Sequence, residues 1–115
     1  MLYTNLNHIE TAEQLEKIVS ANNNVMVCCG RMGPMCIPVY GIMEELEPSY
    51  SHVKFFDMDF DNPEAYVIRN APATRGFMGL PYTVYYRNGT MVKATSSLQN
   101  MGQVMNILDS EFRRS

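Results

Sequence analysis

The sequence predicts an α/β domain built on an open sheet. Three observations carry that expectation. Apolar periodicity alternates along the chain between helical spacing and short strand-length runs. Val25-Met26-Val27-Cys28-Cys29 is continuously apolar, as a strand buried on both faces should be. Asn88-Gly89 sits between two β-prone runs and signals a hairpin.

The elements follow in order. A weak first strand is expected near Leu2 to Asn5. Thr11-Ala12-Glu13-Gln14 reads as a capping box, with Leu15, Ile18 and Val19 at helical spacing behind it. Ala21-Asn22-Asn23-Asn24 ends that helix, and the buried strand follows. Gly30 to Pro34 forms a loop. A second helix carries an apolar stripe of Val39, Ile42, Met43 and Leu46, and Glu47-Pro48 ends it. Val53 to Met58 reads as a strand. Asn62-Pro63-Glu64 is a helix start, with Asn as cap and Pro in the first turn. Ala71-Pro72-Ala73-Thr74 marks a loop. Thr83 to Tyr86 and Met91 to Ala94 form the hairpin. The last helix presents Leu98, Met101, Val104, Met105, Leu108 and Phe112 on one face, capped by Asn100 with Gln103.

The 115 residues, 46% hydrophobic and 18% charged, fit one globular domain spanning 1–115. A net charge of −3 argues against nucleic acid or an anionic membrane as partner. Apolar runs fall short of the ~20 residues of a membrane helix. The N-terminal residues lack the basic and apolar regions of a signal peptide, and three cysteines are an odd number. A reducing, cytoplasmic location is therefore expected.

In open α/β sheets, sites gather at the C-terminal ends of central strands. Here that is Cys28-Cys29-Gly30-Arg31-Met32-Gly33-Pro34-Met35-Cys36. At a helix start, a thiol such as Cys36 gains thiolate character. Met32, Met35, Cys36 and Cys29 form a soft-ligand set, but methionine is more commonly a gap-filler, and no metal or cofactor is expected. The other reading of Cys28 and Cys29 is that they are small buried hydrophobes.

Over nearly its whole length the chain resembles the thioredoxin family. The resemblance rests on Gly76-Phe77-Met78-Gly79-Leu80-Pro81, on Arg87-Asn88-Gly89, on Asp57-Met58-Asp59 with Asn62-Pro63, and on the run from Asn88 to Phe112. It implies the thioredoxin fold, a central mixed β-sheet flanked by helices on both faces. It also implies that Pro81 is the family's cis-proline.

The site departs from the family pattern, which has two cysteines separated by two residues. Without gaps, Gly33 falls on the attacking position, Cys36 on the resolving one and Cys29 on a tryptophan beside the site. With one loop residue deleted, Met32 and Met35 occupy the two cysteine positions. Both alignments lack the attacking thiol. A buried aspartate of the family is matched by Val27, and a nearby lysine by Phe55. Ser97 stands where a glycine is usual, and the loop at Ala71 to Arg75 is long enough to cover part of the site.

Two functions are compatible with these residues. One is thiol–disulfide redox through Cys36, with Cys29 as candidate partner, acting on protein or peptide thiols and disulfides, with a thioredoxin reductase among candidate partners. The other is a redox-inactive binding module, whose surface would comprise Met32, Gly33, Pro34, Met35, Leu80 and Pro81.

Overall fold

A computed structural model describes residues 2–113. Its elements are β1 (Asn7–Ile9), α1 (Ala12–Ala21), β2 (Asn24–Gly30), α2 (Ile37–Leu46), β3 (Lys54–Asp59), α3 (Tyr66–Arg69), β4 (Tyr82–Arg87), β5 (Thr90–Ser96) and α4 (Met101–Glu111), with single 3-10 turns at Glu47–Ser49 and Pro63–Ala65. The five strands form one mixed sheet in the order β1-β3-β2-β4-β5. β1 and β2 run parallel to β3, and β4 runs antiparallel to both β2 and β5.

β2 lies in the middle of the sheet, and every residue from Val25 to Gly30 is buried. Side chains on a strand alternate between faces, so β2 feeds two cores. Met26 and Cys28 pack with Cys36, Val39, Tyr40 and Met43 beneath α2, and with Val104 and Leu108 of α4. Val25, Val27 and Cys29 pack on the opposite face with Leu15 and Val19 of α1, Ile68 of α3 and Met58. Helices thus cover both faces. Each large apolar side chain buried in this way contributes about 1.5–3 kcal/mol.

Local chemistry explains the element ends. Thr11 Oγ1 accepts the Gln14 N–H at 3.0 Å and opens α1. Asn100 and Gln103 cap each other's backbone N–H groups at 2.8 Å each and open α4. Leu98 therefore lies outside the helix and is exposed, whereas Phe112 follows the helix and is buried. At the hairpin, Asn88 and Gly89 have φ of 52° and 83°, the positive values that a two-residue turn of this twist demands.

The first strand is displaced from its expected position. Thr4 Oγ1 accepts the Leu6 N–H at 3.1 Å, a local side-chain bond that bends the backbone where a strand was expected. Leu2 and Leu6 are buried all the same. Pairing begins only at Asn7, opposite Phe56, and ends at Ile9, opposite Met58.

Candidate active site

The β2–α2 connection carries the site. β2 ends at Gly30, and α2 begins at Ile37 with Cys36 as its N-cap residue. Gly33 turns the loop: its carbonyl accepts the N–H groups of Cys36 and Ile37 at 3.1 and 3.0 Å. Cys36 is 2% exposed. Its sulfur accepts the Arg31 N–H at 3.4 Å. Tyr40, one turn along α2, donates its hydroxyl to the Arg31 carbonyl at 3.1 Å. The Arg31 guanidinium points away from these contacts. It grips Asp61 through two bonds of 2.9 and 2.8 Å and lies 5.3 Å from the Phe60 ring centroid. That partnership raises the Arg31 pKa and lowers that of Asp61.

Gly30 makes this packing possible. A Cβ there would lie 2.7 Å from Tyr40 Oη, 2.8 Å from Cys36 Sγ and 3.1 Å from Pro81 Cβ. In the sequence alone this glycine reads only as the start of a loop; nothing local marks it as the point where α2 meets the central strand. Pro81 is buried and follows a cis peptide bond from Leu80. Leu80 is half-buried and touches both cores.

The three cysteines are free and buried. Cys28 shares the α2 face with Cys36, and Cys29 belongs to the core across the sheet. The candidate partnership of Cys29 with Cys36 thus has the sheet between its members. Burial pushes the Cys28 thiol well above the ordinary range, although Thr83 Oγ1 donates to its sulfur at 3.9 Å. Burial pushes Cys29 up to about 12, opposed by the charge of Arg69.

Asp57 is a buried acid that lies outside the expected site residues. It pairs in register with Cys28 on β3 and is fully buried. Its carboxylate accepts from Thr4 Oγ1 at 2.5 Å and bonds His8 Nδ1 at 2.6 Å. Burial raises its pKa, against the lowering effect of these two partners. The alternation Phe55, Asp57 on β3 was the available signal: if Phe55 faces the core, so does Asp57. Val27, the position matched to the family's buried aspartate, faces the other core.

The remaining expected site residues form the rim. Met32 is 39% and Met35 44% exposed, and Pro34 is exposed between them. Met32 Sδ accepts the Tyr3 N–H at 3.3 Å. Met78, in the loop before Pro81, is 96% exposed. Ser97 has a φ of 68°, and its N–H donates to the carbonyls of Gly79 and Pro81 at 3.1 Å each. The long loop is tied back onto α3 by buried Thr74, whose hydroxyl bonds the Ile68, Arg69 and Ala71 carbonyls. Among the described residues, no group of three His, Cys, Asp or Glu is placed to hold a metal ion. None of their helices is long and apolar enough to cross a membrane.

No protein-family model matches the chain, and no curated protein matches it in sequence. Solved structures are similar in fold. A mutant thioredoxin from Halobacterium salinarum superposes with a TM-score of 0.78 at 18% identity, covering 100% of this chain and 99% of its own. Plasmodium falciparum thioredoxin gives 0.76 at 18% identity, covering 92% and 99%. A mutant thioredoxin from Entamoeba histolytica gives 0.74 at 20% identity, covering 91% and 98%. The chain has the thioredoxin fold.

Proposed function

We propose that the chain acts in thiol–disulfide exchange through Cys36. The observation that carries this reading is the setting of its sulfur: at the start of α2, accepting the Arg31 N–H, beside Gly30 and Pro81 at the end of the central strand. That N–H fixes the sulfur in place at the junction of the strand end and the helix start. A Cys36 thiolate attacks one sulfur of a partner's disulfide, and the other sulfur leaves. That the proteins of similar fold are thioredoxins supports thiol redox as the class of reaction, and protein or peptide disulfides are the candidate substrates. A thioredoxin reductase is then the candidate source of electrons, and the cytoplasm the candidate compartment.

The buried sulfur and the glycine at position 33 make this a slow exchanger. Insulin-type disulfides should be reduced far more slowly than by a protein with an exposed attacking thiol. Cys36→Ser should abolish the residual rate, and Gly33→Cys should raise it. Brief treatment of the native protein with iodoacetamide at neutral pH should label Cys36 before Cys28. Labelling of Cys36 only after unfolding would make it structural and end the redox reading.

The exposed methionines favour a second reading, a surface that binds extended peptides. Thioether side chains adapt to varied apolar partners. Under that reading Cys36→Ser leaves peptide capture intact, and a charge at Met35 weakens it.

A further inference from the structure

We propose that the thiol that resolves a mixed disulfide on Cys36 is Cys28, on the face of β2 that Cys36 approaches closely because Gly30 has no side chain. The proposal rests on the exchange reading above and specifies its second step.

Three observations favour Cys28. First, Gly30 and Cys28 are two residues apart on one strand and so share a face, about 6.5 Å apart along it. A Cβ at Gly30 would lie 2.8 Å from Cys36 Sγ, so that sulfur already occupies the space above the strand one side-chain step from Cys28. A change of χ1 well moves a sulfur by roughly 3 Å, and rotation of these two side chains toward each other is the motion the bond requires. Second, Cys28 and Cys36 belong to one core cluster, and Cys29 belongs to the other. A bond from Cys29 would have to pass through the sheet. Third, Thr83 already donates its hydroxyl to the Cys28 sulfur, a contact that would support charge on that sulfur as its proton leaves.

The chemistry balances without any outside oxidant. Cys36 thiolate attacks a partner disulfide R–S–S–R′, forming Cys36–S–S–R and releasing R′–S⁻, which takes up the proton that Cys36 gave up. Cys28 sulfur then attacks the Cys36 sulfur, forming Cys28–S–S–Cys36 and releasing R–S⁻, which takes the Cys28 proton. The partner gains two electrons and two protons, and the two cysteines lose them. Burial holds Cys28 protonated, so this second step should be the slower one.

The experiment uses the full chain with oxidised glutathione as the disulfide, followed by intact mass and by the release of reduced glutathione. Wild type and Cys29→Ser should both pass through one glutathione adduct and end adduct-free, two hydrogens lighter, with a second equivalent released. Cys28→Ser should stop at the adduct on Cys36 and lose the second equivalent. Cys28→Ala serves as a second variant should the serine disturb the core. If Cys29→Ser stalls and the Cys28 variants go to completion, Cys29 is the partner and the proposal is overturned. If wild type itself stops at a stable adduct, exchange through Cys36 stands but the resolving role of Cys28 falls. If Cys36 never takes an adduct in the folded protein, the exchange reading fails, and this step fails with it.

Discussion

Substituting Gly30 by alanine tests the packing on which the site depends. In an ordinary strand the change would help by about 0.5–1 kcal/mol, because glycine loses more backbone freedom on folding. Here the new methyl lies inside contact distance of Tyr40 Oη, Cys36 Sγ and Pro81 Cβ, at 2.7, 2.8 and 3.1 Å. Tyr40 and Cys36 are each 2% exposed, so neither can retreat into solvent. Forcing a methyl into a packed core costs about 1–3 kcal/mol. Displacing Tyr40 Oη from the Arg31 carbonyl removes a hydrogen bond worth about 1 kcal/mol. The balance is a loss of about 2 kcal/mol, or roughly 6–12 °C in Tm for a domain of this size. Gly33→Ala is the control, because a Cβ there meets nothing within 4 Å, and it should change stability by less than about 0.5 kcal/mol. Urea and thermal unfolding of the two variants measure both effects. A Gly30→Ala protein as stable as Gly33→Ala would refute the close approach of α2 to the end of β2.

Other contacts give three further expected outcomes. The folded state holds the Cys29 proton up to about pH 12, while the unfolded thiol releases it at about pH 8.5, so stability should fall as pH rises across that window, by about 1.4 kcal/mol per pH unit per such group. Cys29→Ala should flatten the slope of urea stability against pH by one proton, and an unchanged slope would sink the assignment. Asp57→Ala should cost about 1–3 kcal/mol by stranding Thr4 and His8 and should speed hydrogen exchange of the β1 amides, with Asp57→Asn milder because it keeps an acceptor oxygen; unchanged exchange at Ile9 would contradict the tether. Asn100→Ala should cost about 1 kcal/mol by emptying the α4 cap, and calorimetry with no shift in Tm would contradict it.

The parts of this fold that were legible in the sequence are those governed by local chemistry. The Asn100–Gln103 box, the Thr11 cap, the Asn88-Gly89 turn and the continuous apolar run of β2 each depend on a few neighbouring residues, and each appears where expected. The parts that were not legible depend on contacts distant in sequence. β1 starts at Asn7 because Thr4 captures Leu6 and because His8 and Thr4 both reach Asp57 on another strand. The buried acid on β3 was hidden for the same reason: its partners lie on another element. At the site, strand order points to the segment from Cys28 to Cys36, but an all-apolar strand carries no alternation to say which of two adjacent cysteines faces which helix.

What sets that facing is Gly30. Turning β2 over by one residue would exchange Met26 and Cys28 for Val27 and Cys29 beneath α2. The cost in apolar burial would be small, because both sets are buried and hydrophobic in either arrangement. The end of the strand is not so tolerant. Below Tyr40, Cys36 and Pro81 there is no room for a Cβ, and only glycine supplies that absence. A one-residue slip would bring Cys29 or Arg31 under that junction, with a side chain where even a methyl does not fit. Gly30 must therefore face α2, the residue two before it must face the same way, and that residue is Cys28. The same glycine that lets Cys36 approach the strand thus determines which of the two neighbouring thiols it approaches.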